Sequence, residues 1–337
     1  MARLEAGSDD WLDQFVEDVI DPDRVINDPH HHLWDHADWR PYKLDDLWAD
    51  TGSGHLIRNT VFIECHSHYH SSGDKDFRSL GETEFAAAVA GESRTHSNQR
   101  ANIAGIVARA DLRLPNLDAI LDAHESAADG LLRGIRHPAA RDEFGDFLHI
   151  PGRSQAGLYA NTAFRRGLRT LAQRGLCFDA WHYHHQNGEF LAAACAVPEA
   201  TMVLNHFGTP LGVGPYASQR DSIFSRWRDD ITALARCPNV YAKLGGLAMP
   251  DNGFGWHIRD RPASSDELVS AQARFYLHTI ECFGPQRCMF ESNFPVDRLS
   301  ISYRNLWNAF KKLTASFSAS EKDALFRGTA ASVYTLP

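Results

Sequence analysis

The sequence predicts an α/β fold, a (β/α)8 TIM barrel with long βα loops, and three observations support this prediction. Eight short apolar runs recur along the 337 residues, helix-like segments separate them, and several runs are continuously apolar rather than alternating. Continuous apolar runs are typical of parallel strands that are covered on both faces. Strands that alternate with helices form βαβ units and a parallel sheet. Eight such units favour a closed barrel, with an open doubly wound sheet as the alternative.

The eight apolar runs are the predicted strands. They span residues 25–33, 56–65, 101–109, 131–136, 176–181, 200–204, 240–244 and 287–290. The predicted helices between them span residues 82–90, 117–128, 162–174, 221–235 and 265–283. Helical spacing supports the second of these, since Leu117, Ile120, Leu121 and His124 fall on one face.

Loop lengths distinguish the two ends of the predicted sheet. Connections that enter strands are short and carry turn residues, as at Cys237-Pro238-Asn239 and Gly284-Pro285. Connections that leave strands are long, at residues 35–54, 137–161 and 245–262. Long loops after strands place the elaborated face where barrel active sites lie. We expect one domain over residues 1–337, with an N-terminal extension (1–24) and closing helices at 303–337.

Composition and charge narrow the classes of function. The formal net charge is −9 and no basic stripe appears, which argues against a nucleic-acid partner. The longest apolar run, residues 191–197, is far shorter than the roughly 18 residues that span a bilayer. The beginning of the chain lacks a signal-peptide pattern, and the six cysteines form no CxxC pair. We therefore expect a cytoplasmic protein with reduced thiols and no membrane partner, and leave a homo-oligomer open.

A histidine run ends the first predicted strand, in Asp28-Pro29-His30-His31-His32. Side chains alternate along a strand, so His30 and His32 share a face while His31 takes the other. Two imidazoles about 7 Å apart in Cα can converge on one metal ion or one carbonyl oxygen. The alternative is a polar strand end with solvated histidines. Asp28 could orient one of the rings as a supporting carboxylate.

A further histidine, His206, lies where the sixth apolar run ends and a glycine-containing turn begins. Alone, such a residue is more often structural. At the same end of a barrel as His30 and His32, it completes three neutral nitrogen ligands, and three protein ligands with an open position are common at catalytic zinc. The prediction is therefore one divalent ion, zinc or manganese, held by these histidines, with metal-independent polarisation of a carbonyl left open.

The eighth run leads into Glu291-Ser292-Asn293. Alternation places Glu291 and Asn293 on one face and Phe290 and Ser292 on the other. If Glu291 faces the barrel lumen, it is a carboxylate near the histidines and a candidate general base. The alternative is an outward Glu291 paired with Arg298.

Five more residues are candidates for substrate binding. Arg136 ends the fourth strand and Lys243 lies in the seventh, and a planar guanidinium suits a carboxylate. Asp179 and Trp181 share a face of the fifth strand and suit sugar hydroxyls and a ring, respectively. Glu64 ends the second strand and could pair with Arg136. A structural salt bridge or packing role is the alternative for each.

The motifs, taken in order, resemble the lactonase-type amidohydrolase-2 branch of the amidohydrolase superfamily, and the resemblance covers nearly the whole chain after Ile26. The matching pieces are DPHHHLWD, VFIECHS, GLLRGIRHPAA, FDAWHYHHQ, VLNHFGTPLGVGPY, NVYAKLGGL, RCMFESNFPVD and GTAASVYTL. The resemblance implies a (β/α)8 barrel and hydrolysis of a lactone C–O bond. It also places His30, His32 and His206 on metal-ligand or carbonyl-polarising positions.

One departure from the family pattern stands out. The last motif usually contains Ser-Asp-x-Pro, and its Asp ligates metal or acts as base, whereas this chain has Asn293. An amide is a poor metal ligand and takes no proton at neutral pH. Either Glu291 supplies the carboxylate, or Asn293 orients a water, or catalysis is lost. The fourth strand also lacks the bridging Lys or Glu of binuclear members, which argues against a second metal ion.

The sequence therefore predicts a hydrolase that opens the lactone of a sugar acid or of an aromatic-degradation intermediate. Water attacks a carbonyl polarised by His30, His32 and His206, directly or through one ion, with Glu291 or Asn293 assisting. Arg136 holds a carboxylate of a small anionic or sugar lactone. The alternatives are a metal-dependent decarboxylase of the same branch and an inactive barrel that binds a small acid.

Overall fold

The computed structural model describes residues 3–35, 39–96 and 99–337. Its core is an eight-stranded parallel sheet in which each strand pairs with the next along the chain. The strands are β1 (Val25–His31), β2 (Leu56–Ile63), β3 (Asn102–Arg109), β4 (Leu132–Arg136), β5 (Cys177–Ala180), β6 (Met202–Leu204), β7 (Val240–Leu244) and β8 (Cys288–Phe290). This order confirms the predicted (β/α)8 barrel, because a doubly wound sheet would reverse its strand order.

The ring of strands closes through the segment that follows β8. The backbone N–H of His32 donates to the carbonyl of Phe294 at 2.8 Å, and that of Asn293 donates to the carbonyl of His30 at 3.0 Å. His31 and Phe294 also form a parallel bridge. The ends of β1 and β8, which carry four of the ten predicted site residues, therefore lie side by side.

Helices surround the sheet, and the five predicted ones are present within a few residues of their expected bounds. The α-helices are α1 (Asp9–Leu12), α2 (Leu44–Thr51), α3 (Leu80–Thr95), α4 (Leu117–Ala127), α5 (Thr162–Gln173), α6 (Asn187–Ala196), α7 (Arg220–Leu234), α8 (Ser265–Phe283), α9 (Tyr303–Leu313), α10 (Ala319–Asp323) and α11 (Thr329–Tyr334). Helix α8 shows why its bounds were predictable. Ser264 and Glu267 form a capping box at its start, and Gly284, with φ of 77°, ends it.

Three helices were not predicted: the single-turn α1 in the N-terminal extension, α2 and α6. Residues 35–54 were expected to form a loop, but residues 44–51 form α2, and residues 36–38 lie outside the described chain. The residue that caps α2 is Lys43, which is not one of the usual N-cap types, so the sequence carried no start signal. Helix α6 follows a 3-10 turn without a side-chain cap, and its alanine-rich stretch was noted only as an apolar run.

The segment after the eighth strand closes the end of the barrel opposite to the long loops. It contains α9 and a continuous helical stretch from α10 through a π-helical turn (Ala324–Gly328) to α11. Ala330, Tyr334 and Leu336 pack with residues of the barrel interior such as Val61 and Val203. At the start of β2, Asn59 donates to the carbonyl of Pro337 at 3.2 Å. In the described parts of the chain, no helix is both long and apolar enough to cross a membrane.

Candidate active site

The two histidines on the inner face of β1 converge, as alternation along the strand predicts. His30 and His32 are buried, and their Nε2 atoms lie 3.3 Å apart. Nδ1 of His32 lies 2.8 Å from the carbonyl of Ile63, which can only accept, so Nε2 of His32 carries a lone pair. His31 points away and contacts the hydroxyl of Thr60 at 3.1 Å.

Burial also fixes the charge of these rings. Removal from water lowers the pKa of both His30 and His32 well below the usual value, and neighbouring positive groups lower it further. Both rings are therefore neutral at physiological pH. A neutral imidazole is the form that binds a metal ion.

His206 reaches the same point from the turn after β6. Its backbone has a φ of 52° and that of Phe207 a φ of 58°, a left-handed conformation that costs non-glycine residues energy. The ring centroids of His206 and His30 lie 4.5 Å apart. Gly246 makes room for the ring, because a Cβ at that position would lie 2.3 Å from Nδ1 of His206. The strained turn and the glycine together place His206 against the β1 histidines.

Glu291 lies behind His30 and His206 and bridges them. Its Oε1 accepts from Nδ1 of His206 at 2.7 Å. Its Oε2 lies 2.7 Å from Nδ1 of His30, although this contact lacks the alignment of a hydrogen bond. Of the two orientations that the sequence left open, the structure has Glu291 inside, while Arg298 pairs with Asp9.

His30, His206 and Glu291 form a group that could hold a metal ion. One ligand atom from each lies within 4.8 Å of the others, and all three residues are buried. Two neutral imidazoles and a carboxylate suit zinc. The sequence predicted His30, His32 and His206 instead. The structure places His32 beside this group, through its contact with His30, and adds Glu291 to it.

Asn293 borders the cavity above this group. Its φ is 56°, and its Nδ2 donates to Oδ1 of Asp297 at 2.9 Å. That bond leaves Oδ1 of Asn293 as the amide atom that can accept from a ligand. Asp297 itself is buried, which raises the pKa of its carboxyl well above the usual value. Asp297 lies in the motif RCMFESNFPVD, but its contact with Asn293 was not predicted.

Asp28 does not orient a histidine ring, contrary to the expectation from its position. Its Oδ1 accepts from the backbone N–H of Ser292 at 2.9 Å, and its Oδ2 accepts from the hydroxyl of Tyr303 at 2.9 Å. Burial raises the pKa of this carboxyl to about 6. Asp28 thus ties the backbone after β8 to β1. The pairing of β1 with β2 shifts register between Asp28 and His31, so simple alternation along the strand does not extend from the rings back to Asp28.

A cavity of about 590 Å³ opens above the histidines, within the size range of sites for small molecules. His32, His206 and Asn293 contribute to it, and Glu64, Arg136 and Trp181 line it as the sequence predicted. Other lining residues were not predicted, and they include three arginines and two aromatic residues: Arg109, Arg113, Arg153, Trp34 and His66.

Arg136 and Glu64 form a buried ion pair in the cavity wall, with Nε and Oε1 2.7 Å apart. Arg136 also donates to the backbone carbonyl of Glu64, and its guanidinium lies 5.9 Å from the ring centroid of Trp181. Burial acts to raise the pKa of Glu64, but the charge of Arg136 outweighs it and the pKa is lowered. The pairing was one of the sequence-based expectations, and its strength keeps Glu64 ionised.

The missed arginines give the cavity an excess of positive charge. Arg109 pairs in register with Arg136 on the neighbouring strand, so both guanidinium groups start from the same level of the barrel. Arg113 is held by Asp111 through two bonds of 2.9 and 2.7 Å, and the exposed Arg153 lies in the loop after β4. The repeated arginines at strand ends were visible in the sequence, but loop conformation decides which of them face the cavity.

Asp179 and Lys243 are not placed where substrate contact requires them. Both are fully buried below the cavity floor, and Nζ of Lys243 lies 2.7 Å from Oδ2 of Asp179. Neither lines the cavity. Their predicted role in substrate binding does not fit this position, because the strand assignment did not give the depth of either side chain in the barrel.

The fold and the buried centre define a barrel hydrolase, and comparisons with known proteins agree. The family described as amidohydrolase matches residues 27–336. An uncharacterized protein of Sinorhizobium fredii is 33% identical over 335 residues, which cover 93% of this chain and 99% of that protein. The chain belongs to the amidohydrolase family, in its lactonase-type amidohydrolase-2 branch.

Other relatives have printed activities or ligands. An L-fucono-1,5-lactonase of Burkholderia multivorans is 29% identical, with 92% of this chain and 96% of that protein covered. A crystal structure of an amidohydrolase from Burkholderia multivorans with bound zinc shows 26% identity and a TM-score of 0.70, covering 93% of this chain and all (100%) of that one. A putative 2-pyrone-4,6-dicarboxylic acid hydrolase of Pseudomonas putida shares the fold, with 14% identity, a TM-score of 0.65 and coverage of 92% and 97%.

Proposed function

We propose that this protein hydrolyses the lactone ring of a small molecule that carries a carboxylate. The observation that carries the proposal is the joined His30, His206 and Glu291 group at the base of an arginine-lined cavity. The similarity to L-fucono-1,5-lactonase supports a lactone as the reacting group. The proposal of a carboxylate comes from this chain's own arginines.

The buried group fits a divalent ion, zinc or manganese, and His30, His206 and Glu291 would hold it. Such an ion, when bound, supplies a Lewis acid for the lactone carbonyl. Zinc in a relative's crystal structure supports this choice. The fit itself comes from the donors present, since one ligand atom from each of two buried imidazole rings and one buried carboxylate lies within 4.8 Å of the others.

His206 and Glu291 work as a unit in this proposal. Glu291 accepts from Nδ1 of His206, so Nε2 of His206 presents a lone pair at the cavity floor. That lone pair engages an ion when one is present and otherwise the proton of an attacking water. Glu291 itself is fully buried, so in the absence of an ion it acts through His206. Asn293 accepts from the water through Oδ1 and orients it.

The arginines hold the substrate's carboxylate. The described residues that line the cavity include four arginines and one carboxylate, that of Glu64. The cavity wall therefore has an excess of positive charge, although the whole chain has a net charge of −9. The planar guanidinium of Arg136 is already oriented by its contacts with Glu64 and Trp181. Arg109 is its register partner on the neighbouring strand. Preoriented guanidinium groups bind carboxylates through paired hydrogen bonds.

To test the proposal, proton release is measured with two lactones of the same ring size, one with a carboxylate and one without. Each is assayed with enzyme treated with a chelator and again after zinc or manganese is added. We expect hydrolysis of a carboxylated lactone that depends on added metal. Release of carbon dioxide from an aromatic acid would instead support the decarboxylase. Binding without turnover, with turnover restored by Asn293→Asp, would support the inactive barrel. A cytoplasmic location and a homo-oligomer stay predictions.

A further inference from the structure

Two cysteine thiols are in contact at the end of the barrel opposite to the cavity. Cys195 lies in the last turn of α6, and Cys237 lies between α7 and β7. Their sulfur atoms are 3.6 Å apart. Both residues belong to connections that enter strands, and neither lines the cavity. The proposed hydrolysis therefore gives this pair no role.

The backbone around the two thiols is held by hydrogen bonds. Nδ2 of Asn239, two residues after Cys237, lies 3.3 Å from the carbonyl oxygen of Ala194, which precedes Cys195. The same nitrogen lies within 3.2 Å of two carbonyl oxygens in the turn after α6. Arg287 donates to the carbonyl of Cys237 at 2.9 Å. The end of α6 is thus tied to the segment before β7, and the two sulfur atoms are kept as neighbours.

The two thiols differ in their access to solvent. Cys195 is exposed, whereas Cys237 is buried. A dissolved oxidant therefore reaches Cys195 more readily than Cys237. Burial, and then the neighbouring Cys195, raise the pKa of the Cys237 thiol to about 11, so this thiol keeps its proton at neutral pH. Cys195 is accordingly the thiol that reacts first, and Cys237 is the neighbour that can react with the product.

The separation of the two sulfur atoms is small enough for a bond to form. A disulfide bond is about 2.05 Å long, so the sulfur atoms have to approach each other by roughly 1.5 Å. Rotation about the Cα–Cβ bond moves a cysteine sulfur over such a distance while the backbone stays in place. The exposed side of Cys195 leaves room for that rotation.

We propose that Cys195 and Cys237 form a modification site at which hydrogen peroxide produces a reversible disulfide. The thiolate of Cys195 attacks one peroxide oxygen, the O–O bond breaks, and the hydroxide that leaves is protonated to water. The thiol of Cys237 attacks the resulting sulfenic acid, the S–O bond breaks, and a second water leaves with the Cys237 proton. Two thiols and one peroxide give one disulfide and two waters, and the two electrons lost by sulfur reduce the peroxide.

This disulfide protects Cys195 from irreversible oxidation. A sulfenic acid that meets no second thiol is oxidised further to a sulfinic acid, which dithiols do not reduce. A disulfide, in contrast, returns to two thiols by exchange with a dithiol. Cys237 is therefore the residue that decides whether oxidation at Cys195 can be reversed. The inference is independent of the proposed hydrolysis and of any metal ion.

The test treats the full-length protein with hydrogen peroxide, counts free thiols by alkylation and identifies cross-linked peptides by mass spectrometry. We expect two of the six thiols to be lost, one peptide pair that joins Cys195 to Cys237, and recovery of both thiols with dithiothreitol. Cys195→Ser should form no such pair, and Cys237→Ser should accumulate sulfinic acid at Cys195. Cys282→Ser is the matched control, because it removes a partly exposed thiol that contacts His278.

Two results would overturn the proposal. One is the survival of all six thiols under peroxide that oxidises a free thiol in solution, and the other is sulfinic acid at Cys195 of the unchanged protein without the cross-linked pair. If Cys237→Ser does not fold, the unchanged protein and Cys195→Ser, an exposed substitution, still decide the outcome. No lactone or metal ion enters the measurement, so a failure of the proposed function leaves it readable.

Discussion

Single side chains decide what this cavity can bind and do. Glu291 reaches two rings at 2.7 Å, and Arg136 is held in place by Glu64 at the same distance. Each contact is buried, so water cannot replace a lost partner and each substitution is expected to have a large effect. The candidate metal group and the arginine wall can be tested separately, because no residue belongs to both.

Replacing Glu291 by Gln removes the carboxylate and keeps the size of the side chain. We expect kcat/KM to fall by about 100-fold or more, within the range for lost general acid–base assistance. We also expect the variant to bind less zinc, because one of the proposed ligands is lost. Steady-state kinetics and metal analysis of the purified variant measure both. Glu281→Gln, an exposed change on α8, is the control. Full activity and full metal content in Glu291→Gln would remove Glu291 from the mechanism.

Replacing Arg136 by Lys keeps the charge beside Glu64 but removes the planar fork. For a carboxylated lactone we expect kcat/KM to fall about 10- to 100-fold, the size of a lost charge-assisted contact. The uncharged lactone of the same ring should react nearly as before. The exposed Arg58→Lys serves as control. An equal loss of kcat/KM on both lactones would show that Arg136 supports the structure of the site and does not bind the substrate's carboxylate.

At the scale of elements, strand ends and the turns after them determine the site. His206 depends on a left-handed turn after β6 and on a glycine after β7 that leaves space for its ring. The sequence predicted that the ends of β1, β6 and β8 meet, because parallel strands of a barrel share one carboxyl edge. It could not predict the backbone angles of the turns that follow them.

Gly246→Ala should displace His206. The added Cβ would lie 2.3 Å from Nδ1 of His206, at a φ of +74° that alanine disfavours. A misplaced catalytic group costs about 100-fold in rate. Gly188→Ala in α6 is the matched control, since its Cβ meets nothing within 4 Å and helix entropy favours it by about 0.5–1 kcal/mol. Kinetics and thermal unfolding of both variants measure the difference, and equal activity would refute the displacement.

The same limit explains which site residues were misplaced or missed. Asp179 and Lys243 were assigned to the correct strands, but each lies before the last residue of its strand and is therefore buried below the cavity floor. Arg153 lies in a long loop, where no periodicity exists to predict its direction. Residues that end strands, such as Arg136, were predicted well because their face and their depth are both fixed.

For the whole molecule, buried carboxyl groups couple stability to pH. Glu82 on α3 accepts from the backbone N–H groups of Cys65 and Ser67 beside the cavity. Burial, and then the charge of Glu64, raise the pKa of Glu82 from 4.5 to about 8. Folding therefore takes up a proton at pH values between these two limits. The free energy of unfolding that this group contributes decreases as pH rises from about 4.5 to about 8.

Glu82→Gln should remove this dependence, because the amide oxygen can still accept while no charge is buried. We expect the variant to gain stability relative to the unchanged protein as pH rises from 5 to about 8, with little difference at pH 5. Urea unfolding across this range measures it. Glu92→Gln, an exposed change on the same helix, is the control. A stability difference that does not grow with pH would contradict the buried charge.

The hydroxyl of Tyr334 on α11 lies 2.9 Å from Oδ1 of the buried Asp179, and this contact has a consequence for how the protein is made. All eight strands leave the ribosome before the helix that carries Tyr334, so the barrel can assemble its histidines while its lower support is still being synthesised. Until α11 is present, the buried carboxylate of Asp179 lacks the hydroxyl of Tyr334 as a hydrogen-bond partner. Chains stalled after β8 but before α11 should therefore be less stable, and more easily cut by a protease, than chains that include α11.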